Sequence, residues 1–186
     1  MNKINRFFER IIKEETSSDI INMDNVTFYA YGISGEEGLY SLYDKGYLIL
    51  CSRNDYAQSL AESSATTQLL GNSEIPTVIK VILNGLKILQ WSDELTSKYG
   101  ELFKGGIIAP QKFNENIIDN FSQYDGIINK GNINDYLILF NSEKAAIYQY
   151  QFYTAEHGWG DWYKKQEAID FLDGLFTVKD TSSFFN

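Results

Sequence analysis

The chain has 186 residues, 44% hydrophobic and 15% aromatic, and a formal charge of -9. That is enough for one domain with a substantial core and too apolar for a disordered chain. The acidity excludes broad binding to DNA or RNA, which needs clustered Lys and Arg against phosphates.

With one cysteine, Cys51, no internal disulfide forms, and its place at the end of the apolar run YLILC reads as a small buried hydrophobe. One histidine, His157, makes no His-rich metal site, and no metal is expected. No apolar run approaches the roughly 20 residues that span a bilayer. The opening MNKINRFFERIIKEE carries charge throughout and lacks the apolar centre of a signal peptide, so the expectation is a cytoplasmic protein without membrane contact.

In chain order, apolar residues at Phe7, Phe8, Ile11 and Ile12 predict an amphipathic helix over residues 5–15. VTFYAY, from Val26, predicts a strand. Residues 38–45 have the spacing of a short helix that Gly46 would stop. Residues 47–51 form a second strand, and Asn54 is placed to cap a helix over residues 55–63. Residues 66–74 read as a polar loop, with Pro76 ahead of the strongest strand, TVIKVIL. Asn84-Gly85 signals a hairpin into LKILQ. Ser92 is placed to cap a helix over residues 93–103, and residues 113–121 have helical spacing. YDGI and YLILF are two short strands joined by a polar loop that ends at Asp135, and residues 145–152 add another strand. Residues 162–175 form a last helix, which Trp159 and Trp162 would pack onto the sheet or offer to a partner.

Strands and long helices do not alternate, so the class is α+β rather than a doubly wound parallel sheet. The division expected is a single domain over residues 1–186: a helical extension over 1–25, a core over 26–152 and a helical extension over 153–186. No P-loop, GxGxxG, GxSxG or HExxH occurs, which removes the common NTPase, dehydrogenase, hydrolase and zinc-enzyme classes.

One pattern is spread over most of the chain. TFYAYGI precedes LYSLYDKG, then LILCSRNDYAQSLAES, then VIKVILNGLKIL, and finally YDGI, a polar loop, an acidic residue and YLILF. Over residues 26–151 this resembles the ADP-ribosyltransferase-like fold, closest to small bacterial and phage-encoded versions with a YDGI strand ahead of an E-Y-V-V-F-type strand. The resemblance implies two packed, mainly antiparallel sheets around a central cleft with flanking short helices. It implies NAD as substrate and a mono-ADP-ribosyltransferase in a toxin or phage-defence setting. The acceptor implied is a protein or, less in keeping with the charge, a nucleic acid.

Carried over by position, the resemblance makes Asp135 the catalytic anion beside the ribose oxocarbenium ion. A developing cation needs a fixed anion in a site shielded from water. Tyr31, Gly32, Ser52, Arg53 and Tyr56 fall on NAD-binding positions: Tyr31 on the first strand, Ser52 by the nicotinamide, Arg53 for a phosphate and Tyr56 for stacking. The chain departs from the family at two of these, with Tyr31 in place of Arg or His and Asp135 in place of Glu. The same departures define a second reading, a catalytically degenerate relative that binds or inhibits a protein partner. The residues alone also admit a local role for each: Asp135 capping a loop, Ser52 starting a helix, Arg53 a solvated charge, Tyr31 and Tyr56 core aromatics. A third reading is an acidic immunity-type protein of another α+β fold.

Overall fold

The computed structural model describes residues 19–35, 38–40, 47–67, 74–99, 103–104, 107–108, 120–131 and 133–182. The helix expected over residues 5–15, and nearly all of that expected over 113–121, lie outside the described residues.

Eleven strands and three α-helices are described. The strands are β1 (Ile20–Met23), β2 (Val26–Gly35), β3 (Leu48–Cys51), β4 (Glu74–Leu83), β5 (Leu86–Gln90), β6 (Phe103–Lys104), β7 (Ile107–Ile108), β8 (Gly126–Asn129), β9 (Tyr136–Leu139), β10 (Ala145–Thr154) and β11 (Gly158–Trp159). The helices are α1 (Asn54–Thr67), α2 (Asp93–Tyr99) and α3 (Lys165–Ser182). The class is α+β as expected, but the two packed sheets are not found. Nine strands share one mixed sheet in the order β1-β5-β8-β9-β3-β2-β4-β10-β11, with β6 and β7 as a separate pair. The reason lies in how the sheet bends.

Asn84-Gly85 does not close a hairpin: β5 pairs with β1 and β8, while β4 pairs with β2 and β10. Ile20↔Leu89 through Met23↔Leu86 and Val26↔Leu83 through Gly35↔Glu74 keep one register. Strands β1–β2 and β4–β5 are therefore a single long antiparallel ribbon, creased where Asn25 (φ 54) and Gly85 (φ 63) both turn left-handed. Asn84 Oδ1 accepts the Asn25 N–H at 2.7 Å across the crease. The crease carries β1 away from β2, and β5, β8, β9 and β3 fill the arc between them. A side chain at Gly85 meets open space but must hold φ +63, so Gly85→Ala is expected to cost roughly 1–2 kcal/mol through backbone strain alone, read as a shift in urea midpoint without a change in slope.

Alternation along each strand sends side chains to two cores. One holds Phe28, Leu50, Ile79, Leu83, Leu137 and Phe152, and α3 covers it with Ala168 and Leu172. The other holds Cys51, Val78, Ile127, Tyr136 and Ile138, and α1 covers it with Ala57 and Ala61. Tyr136–Leu139 is apolar at every position because both of its faces are buried. A bulge at Tyr148 shifts the β10 register, so Ala145 and Ile147 before it and Tyr150 and Phe152 after it face the same core. Pro76 lies inside β4, beyond the last β10 pair at Phe152↔Thr77, where its missing N–H breaks no bond to β10.

Other expectations are adjusted. Ile20–Met23, in the stretch read as a helical extension, is a strand. Gly38 bridges back to Gly35 rather than opening a helix at 38, and residues 41–46 lie outside the described residues. Asn54 is the first residue of α1 rather than its cap; the Arg53 carbonyl accepts the Ala57 N–H. Trp159 and Trp162 join the core under α1, opposite to α3.

Candidate functional site

Strands β2 and β3 meet at one residue pair only, Tyr29↔Cys51. Toward Gly35 the ten-residue β2 runs on without registering against β3. On the other side of β3, pairing with β9 is complete and ends at Cys51↔Tyr136. One step further, Ser52 and Asp135 face each other. The Ser52 N–H donates to the Asp135 carbonyl at 3.0 Å. The Asp135 N–H donates to Ser52 Oγ at 2.8 Å, across 83 residues of sequence. The Ser52 side chain thus takes a bond that a backbone carbonyl would take in a continuing ladder.

Asn134, 5% exposed, ties this end down. Its Oδ1 accepts the Arg53 N–H at 3.0 Å and the Ser52 hydroxyl at 3.3 Å. Its amide also neighbours the Cys51 thiol and the Tyr136 hydroxyl. The half-buried Asp135 turns its carboxylate to the Gly131 N–H at 3.2 Å, closing the β8–β9 loop, and meets no cation among the described residues.

Of the residues picked out in the sequence, the structure brings together Ser52, Arg53 and Asp135. Arg53 turns its guanidinium outward to the Asp55 carboxylate, with Nε to Oδ1 at 2.9 Å, and that pairing holds the Asp55 carboxyl below its ordinary range. Tyr56 stacks edge-on to Tyr136, ring centres 5.7 Å apart. Tyr31 packs in the core under α1 with Cys51 and Tyr136. Asp135 has the parity of Leu137 and Leu139, which face the other core. Tyr31 and Asp135 are therefore on opposite sides of the sheet. Gly32 faces away from Tyr31 and lies beneath the Tyr40 ring; a Cβ there would come within 2.4 Å of that ring.

Burial pushes the Tyr31 hydroxyl up to about 12, with Cys51 and Tyr40 adding to it. Burial likewise pushes the Cys51 thiol up to about 12 against the pull of the Asn134 amide, so it stays protonated and is no nucleophile. Tyr136 is raised by burial first and by Tyr56 second. His157 is exposed beside Glu156 in the β10–β11 turn. Among the described residues no three His, Cys, Asp or Glu gather as metal ligands, and no helix is long and apolar enough to cross a membrane.

Sequence reasoning missed Asn134, because an asparagine in a polar loop carries no periodic signal. It also missed Gln151, which accepts from Gln58 Nε2 at 2.9 Å and donates to the Gly160 carbonyl at 2.8 Å, joining α1 to β10 and the β11 turn. No family model and no curated protein matches the chain. Among solved structures, it is similar to a chain in the crystal structure of the M. tuberculosis MbcT–MbcA toxin–antitoxin complex, at TM-score 0.47 and 10% identity over 79% of this chain and 91% of that one. At that level the likeness carries no inference about activity or partners.

Proposed function

We propose that the chain is a mono-ADP-ribosyltransferase, moving ADP-ribose from NAD to a protein acceptor. The reading is carried by one observation: strands β3 and β9 end side by side, so that Ser52 and Asp135, whose carboxylate has no cationic partner among the described residues, face each other. In the step proposed, the bond between nicotinamide and ribose C1′ breaks and its electron pair leaves with nicotinamide. The cationic ribose is stabilised by the Asp135 carboxylate. An acceptor nucleophile forms the new bond to C1′ and loses its proton.

The test is nicotinamide release by purified protein. Asp135→Ala is expected to lower it at least ~100-fold, the scale on which a single preorganised electrostatic group acts. NAD is expected to raise the Tm of the wild type.

A second reading is favoured by a different observation. Arg53, the cation expected at a phosphate, is held by Asp55, and Tyr31 lies across the sheet from Asp135. This fits a degenerate relative acting through a protein partner. No nicotinamide release from the wild type, together with no rise in Tm on adding NAD, would sink the enzyme reading in favour of this one.

A further inference from the structure

We infer that Asn134 is a positioning residue that fixes the polarity of the Ser52 hydroxyl, so that Ser52 Oγ offers a ligand a hydrogen-bond acceptor only. The role in catalysis rests on the ADP-ribosyl-transfer reading; the role in orienting Ser52 does not.

The argument starts from the amide. Arg53 N–H points at Asn134 and can only donate, so the atom facing it is Oδ1. The Ser52 oxygen already accepts from the Asp135 N–H, and its own hydrogen goes to that same Oδ1. One lone pair is left on Ser52 Oγ. A ligand that touches Ser52 Oγ must therefore bring an O–H or N–H group to it.

An apolar residue at 134 would leave the Arg53 N–H and the Ser52 hydroxyl without their acceptor. Asp at 134 would keep that acceptor and give Tyr136 Oη one as well.

The experiment has two arms. In the protein without ligand, amide hydrogen exchange at Asp135 reads the bond to Ser52 Oγ. Asn134→Ala is expected to speed it about tenfold, the equivalent of one hydrogen bond. Asn134→Asp is expected to restore the wild-type rate. The double variant with Ser52→Ala should exchange no faster than Ser52→Ala alone. In the second arm, Asn134→Ala is expected to raise KM for NAD about tenfold with a smaller effect on kcat, and Asn134→Asp to recover most of it. Unchanged exchange in Asn134→Ala, or additive effects with Ser52→Ala, overturns the inference even if NAD is consumed. Altered exchange with unaltered KM confines Asn134 to the fold and overturns its part in recognition. If the wild type releases no nicotinamide, the enzyme reading falls, and the exchange arm alone decides whether Asn134 orients Ser52.

Discussion

Gly126→Ala is expected to be among the most damaging single substitutions in the chain. Gly126 lies in β8 between β5 and β9, paired to Ile88 on one side and Leu139 on the other. A Cβ placed there comes within 2.3 Å of the Ile138 carbonyl oxygen and 3.2 Å of Leu139 Cα. Both obstacles are backbone of a fully buried strand, so no rotamer change relieves the clash. Relief requires β8 and β9 to separate, at a cost of the order of 2–3 kcal/mol or more. For a chain of this size that is a fall in Tm of roughly 5–10 °C. Gly174→Ala is the control: it lies in exposed α3 with open space around its Cβ, and is expected to stabilise by about 0.5–1 kcal/mol. Equal effects of the two would rule out the clash as the cause.

The residue before Gly126 carries the second large effect. Asp125 joins three strand ends: its N–H donates to the Lys87 carbonyl at 2.8 Å, its carbonyl accepts the Phe140 N–H at 2.9 Å, and its Oδ2 accepts the Lys87 N–H at 2.7 Å. Lys144 Nζ donates to the other carboxylate oxygen. Burial by itself would raise the carboxyl; the bonds from Lys144 and the Lys87 N–H, with both lysine charges, outweigh it and hold the group below its usual range. A depressed carboxyl gives stability that is present above the unfolded value of about 4 and is lost as pH falls through the folded value. Asp125→Ala is expected to cost roughly 2 kcal/mol at pH 7, as charged hydrogen bonds do. Asp125→Asn keeps an acceptor for Lys87 but not the charge. Its stability is expected to fall less between pH 5 and 3 than that of the wild type, in urea melts across that range. Parallel pH curves for the two proteins would remove Asp125 from the acid transition.

These two residues show what could be read from the chain. YDGI was legible as a strand and as a mark of resemblance, and each of its residues has a packing reason: Tyr124 is buried beneath Lys87, Asp125 clamps, Gly126 makes room and Ile127 is core. The strands β2, β3, β4, β8, β9 and β10 and the helix α1 follow from local composition, because burial on one or both faces leaves a periodic signal. What failed was long-range. Asn84-Gly85 suits a hairpin turn and a crease equally, since both need a left-handed residue, and only the partner of β5 distinguishes them. Residues 20–23 were too short and too near polar neighbours to register as a strand. At the candidate site, Ser52 and Asp135 were placed by resemblance and do meet. The side of the sheet on which Tyr31 lies depends on its parity with Tyr29 and Phe28, and no motif spacing contains that.

The creased ribbon also orders events during synthesis. Residues 20–90 hold both of its arms, so the pairing of β1–β2 with β4–β5 is available as soon as that much chain has emerged. Until residues 126–139 follow, β5 and β3 each present an open edge, and the hairpin of β8 and β9 is the piece that seals both. A nascent chain stalled in that interval carries these two adhesive strand edges and that of β4, which β10 covers later. A messenger truncated before Gly126 therefore encodes an aggregating fragment rather than a smaller folded protein.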